Sequence, residues 1–316
     1  MTIEKIEIQN KAQWLAERVK DVTSTEISAL FGLSPYLSAF ELFHQKREAA
    51  IVTLQPNERM RWGSRLEAAI AHGAAEDQGW VISPLNVYMR DPTARIGSSF
   101  DFEIHSTSDG PGLLEVKNVD GLQYRNTWVD DGAGNIEAPE HIELQIQHQM
   151  AVSGYKWCAL VALVGGNEQK IVLRNCDQDV GQAIRVKVAE FWLTISNNRP
   201  PSADYSVDAE FMIKKLHTHA LAELIVQADP HLEDLIRLYH RLNTDAADLE
   251  KNKQSHRAKI LESIGLASKV LTSFGSLACG EVKGRSGTTI TADMVGTTIG
   301  ASAGHRNFRF THKKEQ

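Results

Sequence analysis

The sequence predicts an α/β fold with a mixed sheet flanked by helices, and three observations lead to that prediction. Apolar residues recur at helical spacing through much of the first 80 residues of this 316-residue chain. The spacing then becomes that of strands in three runs, residues 86–90, 95–104 and 112–118. A helix, an apolar hairpin and a second helix follow between residues 139 and 196. Helices before, between and after strands are typical of an α/β domain.

Four helices are expected before the first strand. Ser38 and Glu41 have the spacing of a capping box and open the third helix. Gly32 is placed to end the second helix, which follows the hydroxyl-rich cluster at residues 23–25. The other helices are expected at residues 10–21 and 57–78, and the third is expected to run from 38 to about 50.

The rest of the chain divides into recognisable segments. Residues 121–138 are expected to form a polar loop, residues 156–165 and 169–175 a hairpin, and residues 178–196 a helix. Two helical stretches, 208–228 and 231–264, follow the Pro200-Pro201 linker and predict a helical hairpin. The last 51 residues are basic and rich in Gly and Thr, which predicts a small β-rich appendage. The predicted domains are therefore 1–205, 206–265 and 266–316.

Composition excludes several classes of protein. The chain is 42% hydrophobic and 23% charged, with a formal net charge of −6, as in globular proteins. No apolar run reaches the roughly 18–20 residues of a membrane span. The three cysteines are scattered, and the N-terminal stretch has no apolar signal region. We therefore expect a cytoplasmic protein without a disulfide framework, and no membrane partner.

Three charged residues form the most informative pattern in the chain. Asp101 ends one β-like run, and Glu115 and Lys117 lie two apart on the next, so that these two share a face. If the two strands pair, the carboxylates converge and offer oxygen ligands to Mg²⁺. An ammonium beside them suits metal-assisted hydrolysis of a phosphodiester. The spacing alone favours an exposed strand face, but charges inside an apolar strand are costly unless they are paired or bound to metal.

Two helices carry further candidates. Glu67 lies in the long helix with a Gly63-x-x-x-Glu67 pattern, where the alternative is an exposed face paired with an arginine. Gln145 lies in the helix after the strands, and Gln147 and Gln149 nearby are interpreted as a polar helix face. His141, Glu143 and His148 on the same helix lack the HExxH spacing of a zinc site, so we interpret the histidines as surface residues.

Several motifs together resemble one family. They occur in its order and cover about residues 10–195: Trp14-x-x-x-Arg18, Thr23 to Tyr36 (TSTEISALFGLSPY), Gly63-x-x-x-Glu67, Ser99-Phe100-Asp101, Leu114-Glu115-Val116-Lys117 and Gln145-Ile146-Gln147. With these motifs the chain resembles the lambda-exonuclease-type, YqaJ-like viral recombinase nucleases of the PD-(D/E)XK superfamily. The resemblance implies a restriction-endonuclease-like core and a Mg²⁺-dependent deoxyribonuclease, with Mn²⁺ as a substitute. It also implies digestion of one strand of duplex DNA from its 5′ end.

The resemblance assigns a role to each site residue. It implies that Asp101, Glu115 and the backbone carbonyl of Val116 bind the metal, that Lys117 activates water, and that Glu67 and Gln145 support them. A pocket for the terminal 5′-phosphate is implied at Arg18, Thr25 and Ser99. The implied substrate is a double-stranded DNA end, and the implied partner is a single-strand-annealing recombinase of a phage or prophage. The resemblance also allows a ring-shaped homotrimer, which the sequence itself does not show.

The chain departs from the family at some positions, and other interpretations stay open. Phe100 and Phe102 flank Asp101 where Pro and Gly are frequent, and Thr25 replaces a frequent Ser with another hydroxyl. Residues in 206–316 match no motif. A related endonuclease that cuts internally and a non-catalytic DNA-binding module are the alternatives. Arg59, Arg61, Arg65 and the basic aromatic tail at 305–314 face either DNA or solvent.

Overall fold

A computed structural model describes residues 2–48, 57–107, 110–273 and 275–279. The chain divides into two compact units, Met1–Phe211 and Met212–Gln316. The helices of the first unit are α1 (Lys11–Lys20), α2 (Ile27–Leu30), α3 (Ala39–Arg47), α4 (Glu58–Gln78), α5 (Gly121–Thr127), α6 (Glu140–Ser153), α7 (Gln178–Ser196) and α8 (Ala209–Phe211). Its strands are β1 (Glu4–Glu7), β2 (Val22–Thr23), β3 (Val81–Pro84), β4 (Val87–Asp91), β5 (Ile96–Ser99), β6 (Phe102–Thr107), β7 (Gly110–Val119), β8 (Val129–Asp130), β9 (Ile136–Glu137), β10 (Trp157–Val164) and β11 (Glu168–Asn175).

A five-stranded mixed sheet forms the centre of the first unit. Its order is β11-β10-β7-β6-β3, with β7 and β10 parallel and the other neighbours antiparallel. The parallel pair requires a crossover, which α5 and α6 supply between β7 and β10. The predicted mixed α/β core is therefore confirmed.

The two faces of this sheet are covered by different helices. Leu114 and Val116 of β7 pack against the α4 side chains of Ile70 and Ala74 on one face. Leu113 belongs to the cluster on the other face, which includes Ile146 and Met150 of α6. Because side chains alternate along a strand, Glu115 and Lys117 share the face of Leu113 and point toward α6.

The expected single strand at 95–104 is wrong. It is two strands in two different sheets, since β5 pairs with β4 in a four-stranded sheet of order β1-β4-β5-β2, whereas β6 pairs with β7. The change of sheet falls at Phe100 and Asp101. Alternating apolar residues cannot reveal this change because both halves keep the strand period.

The expected loop at 121–138 contains a helix, α5, which the sequence analysis missed. Its N-cap is Asp120, whose side chain accepts hydrogen bonds from the backbone N–H groups of Leu122 and Gln123. An N-cap aspartate is a helix-start signal, but the following Gly121 favoured a turn. Tyr124 of α5 is buried and stacks on Trp128, which holds this short helix in place.

The helical hairpin expected at 206–265 is wrong in its first arm. After α8, the described chain forms a π-helical turn at Met212–Leu216, and residues 217–229 contain no helix. Leu224 and Ile225 in this stretch are exposed, and a short helix without a packed apolar face is marginal in water. The second arm is confirmed as α9 (Pro230–Ile264), followed by the hairpin β12 (Lys269–Thr272) and β13 (Gly275–Ala278). The β-like runs expected at 288–292 and 306–311 lie outside the described residues.

Residues 206–211 belong to the first unit, beyond the expected boundary at 205. Asp208 is buried and accepts a hydrogen bond of 2.5 Å from the hydroxyl of Ser38, the N-cap of α3. Phe211 packs edge-on against Phe40 of α3. None of the helices in the described ranges combines the length and apolar character needed to cross a bilayer.

Candidate active site

The register of β6 and β7 brings the two predicted carboxylates together. Phe102 pairs with Leu114 in this antiparallel ladder, so Asp101, one residue earlier, lies opposite Glu115. The Asp101 carboxylate accepts a hydrogen bond of 2.8 Å from the backbone N–H of Val116. Burial raises the pKa of Asp101 well above its usual value, and the negative charge of Glu115 raises it further. The two acidic groups therefore share one polar site on the edge of β7 that faces the start of β6.

Glu115 is the most heavily hydrogen-bonded group of this site. Only 4% of the residue is exposed. Its Oε1 accepts from Lys117 Nζ at 2.5 Å and from Gln145 Nε2 at 2.6 Å, and its Oε2 accepts from Gln149 Nε2 at 2.7 Å. These donors satisfy a buried carboxylate that would otherwise be costly. The two amides lie one turn apart on α6 and thus face the same strand.

Lys117 completes the acidic cluster, by which we mean Glu67, Asp101, Glu115 and Lys117. Its ammonium also donates to Gln145 Oε1 at 3.1 Å. Burial lowers the pKa of Lys117, but the carboxylates of Glu115 and Asp101 outweigh burial and leave it above its usual value. The lysine is therefore charged and is held between a carboxylate and an amide.

Glu67 reaches the cluster from α4. Burial raises the pKa of Glu67, Glu115 raises it further, and Lys117 lowers it, so Glu67 lies within electrostatic reach of both residues. Its side chain is partly exposed. The structure thus brings together all four charged residues that were predicted for catalysis.

The backbone of Val116 faces the same edge. Its N–H donates to Asp101, and the N–H and C=O of one strand residue point to the same side. Its side chain packs instead on the α4 side of the sheet. The carbonyl is consequently directed to the edge where Asp101 lies.

The interpretation of Gln149 as part of a polar surface is wrong. This residue is only 2% exposed, and its amide donates both to Glu115 and, at 3.3 Å, to the backbone carbonyl of Ser99. The available signal was its i,i+4 spacing from Gln145. Gln147 does have a structural role, because its side chain bonds the backbone of Asn175 and Asp177.

Two of the predicted phosphate-binding residues, Arg18 and Thr25, belong to a second site. We call this site the basic cluster and define it as Arg18, Thr25, Glu26 and Lys46. Arg18 donates to the hydroxyl of Thr25 at 3.0 Å and approaches Glu26 at 4.0 Å. Lys46 is nearly buried, pairs with Glu26 at 2.8 Å and donates to the backbone carbonyl of Arg18 at 2.8 Å. Burial raises the pKa of Glu26, but Lys46 and Arg18 outweigh burial and leave it lowered. Nothing in the sequence pattern singled out Lys46.

Ser99 joins this site through an aromatic residue. Trp14 Nε1 donates to the Ser99 hydroxyl at 2.7 Å, and the guanidinium of Arg18 lies 4.6 Å from the centre of the Trp14 ring. Trp14 and Arg18 are one turn apart on α1, so the i,i+4 spacing of the motif was the signal for this contact. Because Gln149 bonds both Ser99 and Glu115, one side chain connects the two sites.

A groove of about 660 Å³ runs past residues of both sites. Thr25 lines it, as do Lys117 and Gln145. Three residues that sequence reasoning did not assign to the site also line it: Tyr36, Arg59 and His141. Tyr36 is 81% exposed and meets His141 edge-on, with 6.0 Å between the ring centres. The groove therefore offers aromatic and basic side chains between the two groups of predicted residues.

One of the two histidines of α6 is buried, although both were predicted to lie on the surface. His148 is fully buried, and burial lowers its pKa to about 4, so the surface interpretation is wrong for this residue. His141 is half-buried, and Glu143 pairs with Arg174 at 2.9 Å. In the described ranges, no group of three or more His, Cys, Asp or Glu side chains is arranged to hold a metal. The zinc interpretation therefore finds no support there.

The sequence of the segment that carries both sites matches a known family model. Residues 13–156 match the family model of the YqaJ-like viral recombinase domain. This part of the chain is therefore similar to the YqaJ-like viral recombinase domain. Every residue predicted for the two sites lies within this matched segment, which ends before β10, and the predicted resemblance is confirmed.

Relatives and solved structures resemble the chain to different extents. The uncharacterized protein YqaJ of Bacillus subtilis (strain 168) is 24% identical over 261 residues, which are 80% of this chain and 76% of the relative. The crystal structure of LHK-Exo in complex with dAMP is similar with a TM-score of 0.48 and 21% identity, over 60% of this chain and 94% of that one. LHK-Exo is an alkaline exonuclease from Laribacter hongkongensis. A phage related exonuclease from Haemophilus somnus 129PT is similar with a TM-score of 0.40 and 11% identity, over 56% and 94%.

Proposed function

We propose that this protein is a Mg²⁺-dependent exodeoxyribonuclease that shortens one strand of linear duplex DNA from its 5′ end. The observation that carries the proposal is the acidic cluster: two opposed carboxylates and a charged lysine on one edge of β7, with the lysine lining a groove. That groove also reaches Thr25 of the basic cluster. A cation site and an anion site at one groove suit a phosphodiester substrate with a charged end.

The residues of the acidic cluster fit a hard divalent ion. Asp101 and Glu115 would hold Mg²⁺, or Mn²⁺ in its place, and the Val116 carbonyl is directed to the same edge. Mg²⁺ usually takes only one or two carboxylates and keeps waters and substrate phosphates, so a third acidic ligand is not required. When bound, the ion would supply charge stabilisation and a more acidic water.

The protein's own side chains position the reacting groups. Lys117 Nζ, held by Glu115 and Gln145, points at the groove and would hold the attacking water while offsetting the charge that develops on the phosphate. Gln145 fixes both the carboxylate and the ammonium. Glu67 adds negative charge within electrostatic reach of Glu115 and Lys117. The hydrolysis thus uses groups that are already hydrogen-bonded in place.

The basic cluster would recognise the DNA end. Arg18 is a planar donor that binds phosphate in a bidentate manner, and hydroxyls of Thr25 and Ser99 would complete the pocket. Trp14 holds the guanidinium from below and donates to Ser99. A terminal phosphate bound there would place the strand along the groove toward Lys117 and define cleavage from the 5′ end.

The proposed setting is phage or prophage recombination in a bacterial host. Digestion from 5′ ends leaves 3′ single-stranded tails, which are the substrate of a single-strand-annealing recombinase. The match to a viral recombinase domain supports this setting. A homotrimeric ring threaded by DNA stays part of the proposal as an expectation from the family resemblance.

The decisive experiment compares DNA ends. Linear duplexes with 5′-phosphate, 5′-hydroxyl and hairpin ends are digested with Mg²⁺, beside a covalently closed circle. We expect 5′-phosphate ends to be degraded fastest, and Arg18→Ala to reduce the preference for phosphate over hydroxyl ends by about tenfold or more, the effect of a lost charge-assisted hydrogen bond. Arg199→Ala, at an exposed arginine after α7, is the control.

Two outcomes would replace the proposal. Cleavage of the closed circle would show an endonuclease of the same superfamily. No cleavage of any substrate with either Mg²⁺ or Mn²⁺, together with DNA binding, would show a non-catalytic module.

A further inference from the structure

Helix α9 has a seven-residue repeat along almost its whole length. Apolar residues recur at alternating spacings of three and four from Leu232 to Leu249, and the same spacing reaches Ile260 through the polar positions Lys253 and His256. This is the pattern of a coiled-coil seam. The seam positions are Leu232, Leu235, Tyr239, Leu242, Ala246, Leu249, Lys253, His256, Ile260 and Ser263.

The seam is exposed in the isolated chain. None of the residues of α9 is buried, and the exposed fractions reach 51% at Leu235, 57% at Leu242 and 74% at Leu249. The helix has 35 residues and is therefore about 52 Å long at 1.5 Å per residue. The apolar face from Leu232 to Leu249 marks an interaction surface rather than scattered exposed leucines.

The charges of α9 are segregated along its axis. Residues 230–250 contain five Asp or Glu against two Arg, whereas residues 251–264 contain four Lys or Arg against one Glu. A second copy of the same helix in the opposite direction would place the basic residues 251–264 beside residues 231–244 of the partner, whose two acidic and two basic side chains balance. A parallel copy would instead place the basic part beside the partner's basic part, and such like-charge contacts disfavour that orientation.

A parallel pair in register is disfavoured by particular residues. It would stack Lys253 in the seam on the partner's Lys253. It would also place Asp245, beside the seam, next to the partner's Glu250, because flanking positions five residues apart meet in a parallel pair. Both contacts join like charges.

An antiparallel pair removes these contacts. In the register with nearly complete overlap, Leu235 faces the partner's Ile260, and Leu242 faces the partner's Lys253. Ala246 faces the partner's Leu249 near the twofold axis. The small or polar residues of the seam thus each meet a large apolar residue, and the Lys253 stem can lie along Leu242 with its ammonium at the edge.

We propose that α9 pairs with α9 of a second copy of this chain as an antiparallel coiled coil. The proposal does not depend on the nuclease function, because it uses only the seam and the charges of α9. It places a self-association surface in the second unit.

Disulfide trapping tests the orientation in the full-length protein. The background carries Cys176→Ser and Cys279→Ser, whereas Cys158 is fully buried and is kept. Two variants are made in this background, Leu235→Cys and Ile260→Cys, and are oxidised separately and as a mixture. We expect cross-linked chains in the mixture only. Cross-linking of each variant by itself would show a parallel pair, and no cross-linking in any sample would show another occupant; either result overturns the proposal.

Sedimentation measures whether the seam holds copies together. Leu249→Asp places a charge in the seam, and we expect the mass of the particle to fall twofold relative to the unsubstituted protein. Ala258→Asp, on the outward side of the same helix, is the matched control and should leave the mass unchanged. The proposal would be overturned if Leu249→Asp left the mass of the particle unchanged. It would also be overturned if the unsubstituted protein were monomeric at all concentrations.

Discussion

The acidic and basic clusters use the same components in opposite proportions. The acidic cluster surrounds one lysine with three carboxylates, whereas the basic cluster surrounds Glu26 with Arg18 and Lys46. The pKa of Asp101 is accordingly raised, and that of Glu26 is lowered. Each cluster keeps an excess of one sign after its internal pairing. An excess of negative charge favours a cation at the acidic cluster, and an excess of positive charge favours an anion such as phosphate at the basic cluster, as we propose.

The largest effect is expected from removing the single positive charge of the acidic cluster. Lys117→Ala should reduce the rate of DNA cleavage by roughly 10²–10³-fold or more, because a preorganised charge beside the scissile phosphate is lost. Single-turnover cleavage and DNA-binding titrations measure the two effects separately. DNA binding should change little, whereas the unfolding midpoint should fall because the buried Glu115 carboxylate loses its charged partner. Lys156→Ala, at an exposed lysine before β10, should cleave normally, and a fully active Lys117→Ala would contradict the role of this cluster.

A substitution in the basic cluster should lower the free energy of unfolding. Lys46→Met leaves Glu26 charged and largely buried without its partner, and the free energy of unfolding should fall by about 3 kcal/mol. Urea unfolding at neutral pH measures this change. The double variant Glu26→Gln/Lys46→Met should lose less, since no charge is left unpaired.

A surface ion pair provides the control for that prediction. Lys187 lies 3.6 Å from Glu190 on α7, and both side chains are well exposed. Lys187→Met should therefore cost about 0.5 kcal/mol or less. Equal losses in Lys46→Met and Lys187→Met would show that burial does not distinguish the basic cluster.

The smallest effect concerns the residue that connects the clusters. Gln149→Met removes the hydrogen bonds to Glu115 and to Ser99 and should slow cleavage by about tenfold through a less well held Glu115. Gln147→Met on the same helix should leave the cleavage rate unchanged, because Gln147 bonds only backbone at β11 and α7 in the described structure. A single-turnover rate in Gln149→Met equal to that of Gln147→Met would separate the two clusters functionally.

Local patterns predicted the elements better than their connections. The helix at 178–196 was placed correctly because its apolar period lies within the segment and its N-cap, Asp177, comes directly before it. The shared face of Glu115 and Lys117 also followed from strand geometry alone. The switch between sheets at Asp101 did not, because pairing partners are chosen by tertiary contacts that the strand period does not encode.

The site was predictable to the extent that its residues lie in recognisable motifs. Asp101, Glu115 and Lys117 were found by spacing and context, and Glu67 and Gln145 were candidates from their positions on helices. The phosphate-binding residues Arg18, Thr25 and Ser99 needed the family resemblance. Gln149 and Lys46 were missed because an amide or ammonium on a helix usually faces solvent, and only packing shows that these two are buried. Burial of a polar side chain is thus the part of the site that one sequence reveals least.

The two-residue passage between sheets has a mechanical consequence. Ser99 ends β5 in one sheet, and Asp101 precedes β6 in the other, so only Phe100 separates a proposed end-binding hydroxyl from a proposed metal-binding carboxylate. Covalent geometry limits their Cα atoms to about 7 Å apart. The backbone here sets a fixed distance between the two proposed sites. Inserting one residue between Ser99 and Asp101 would increase this distance and uncouple recognition of the DNA end from cleavage.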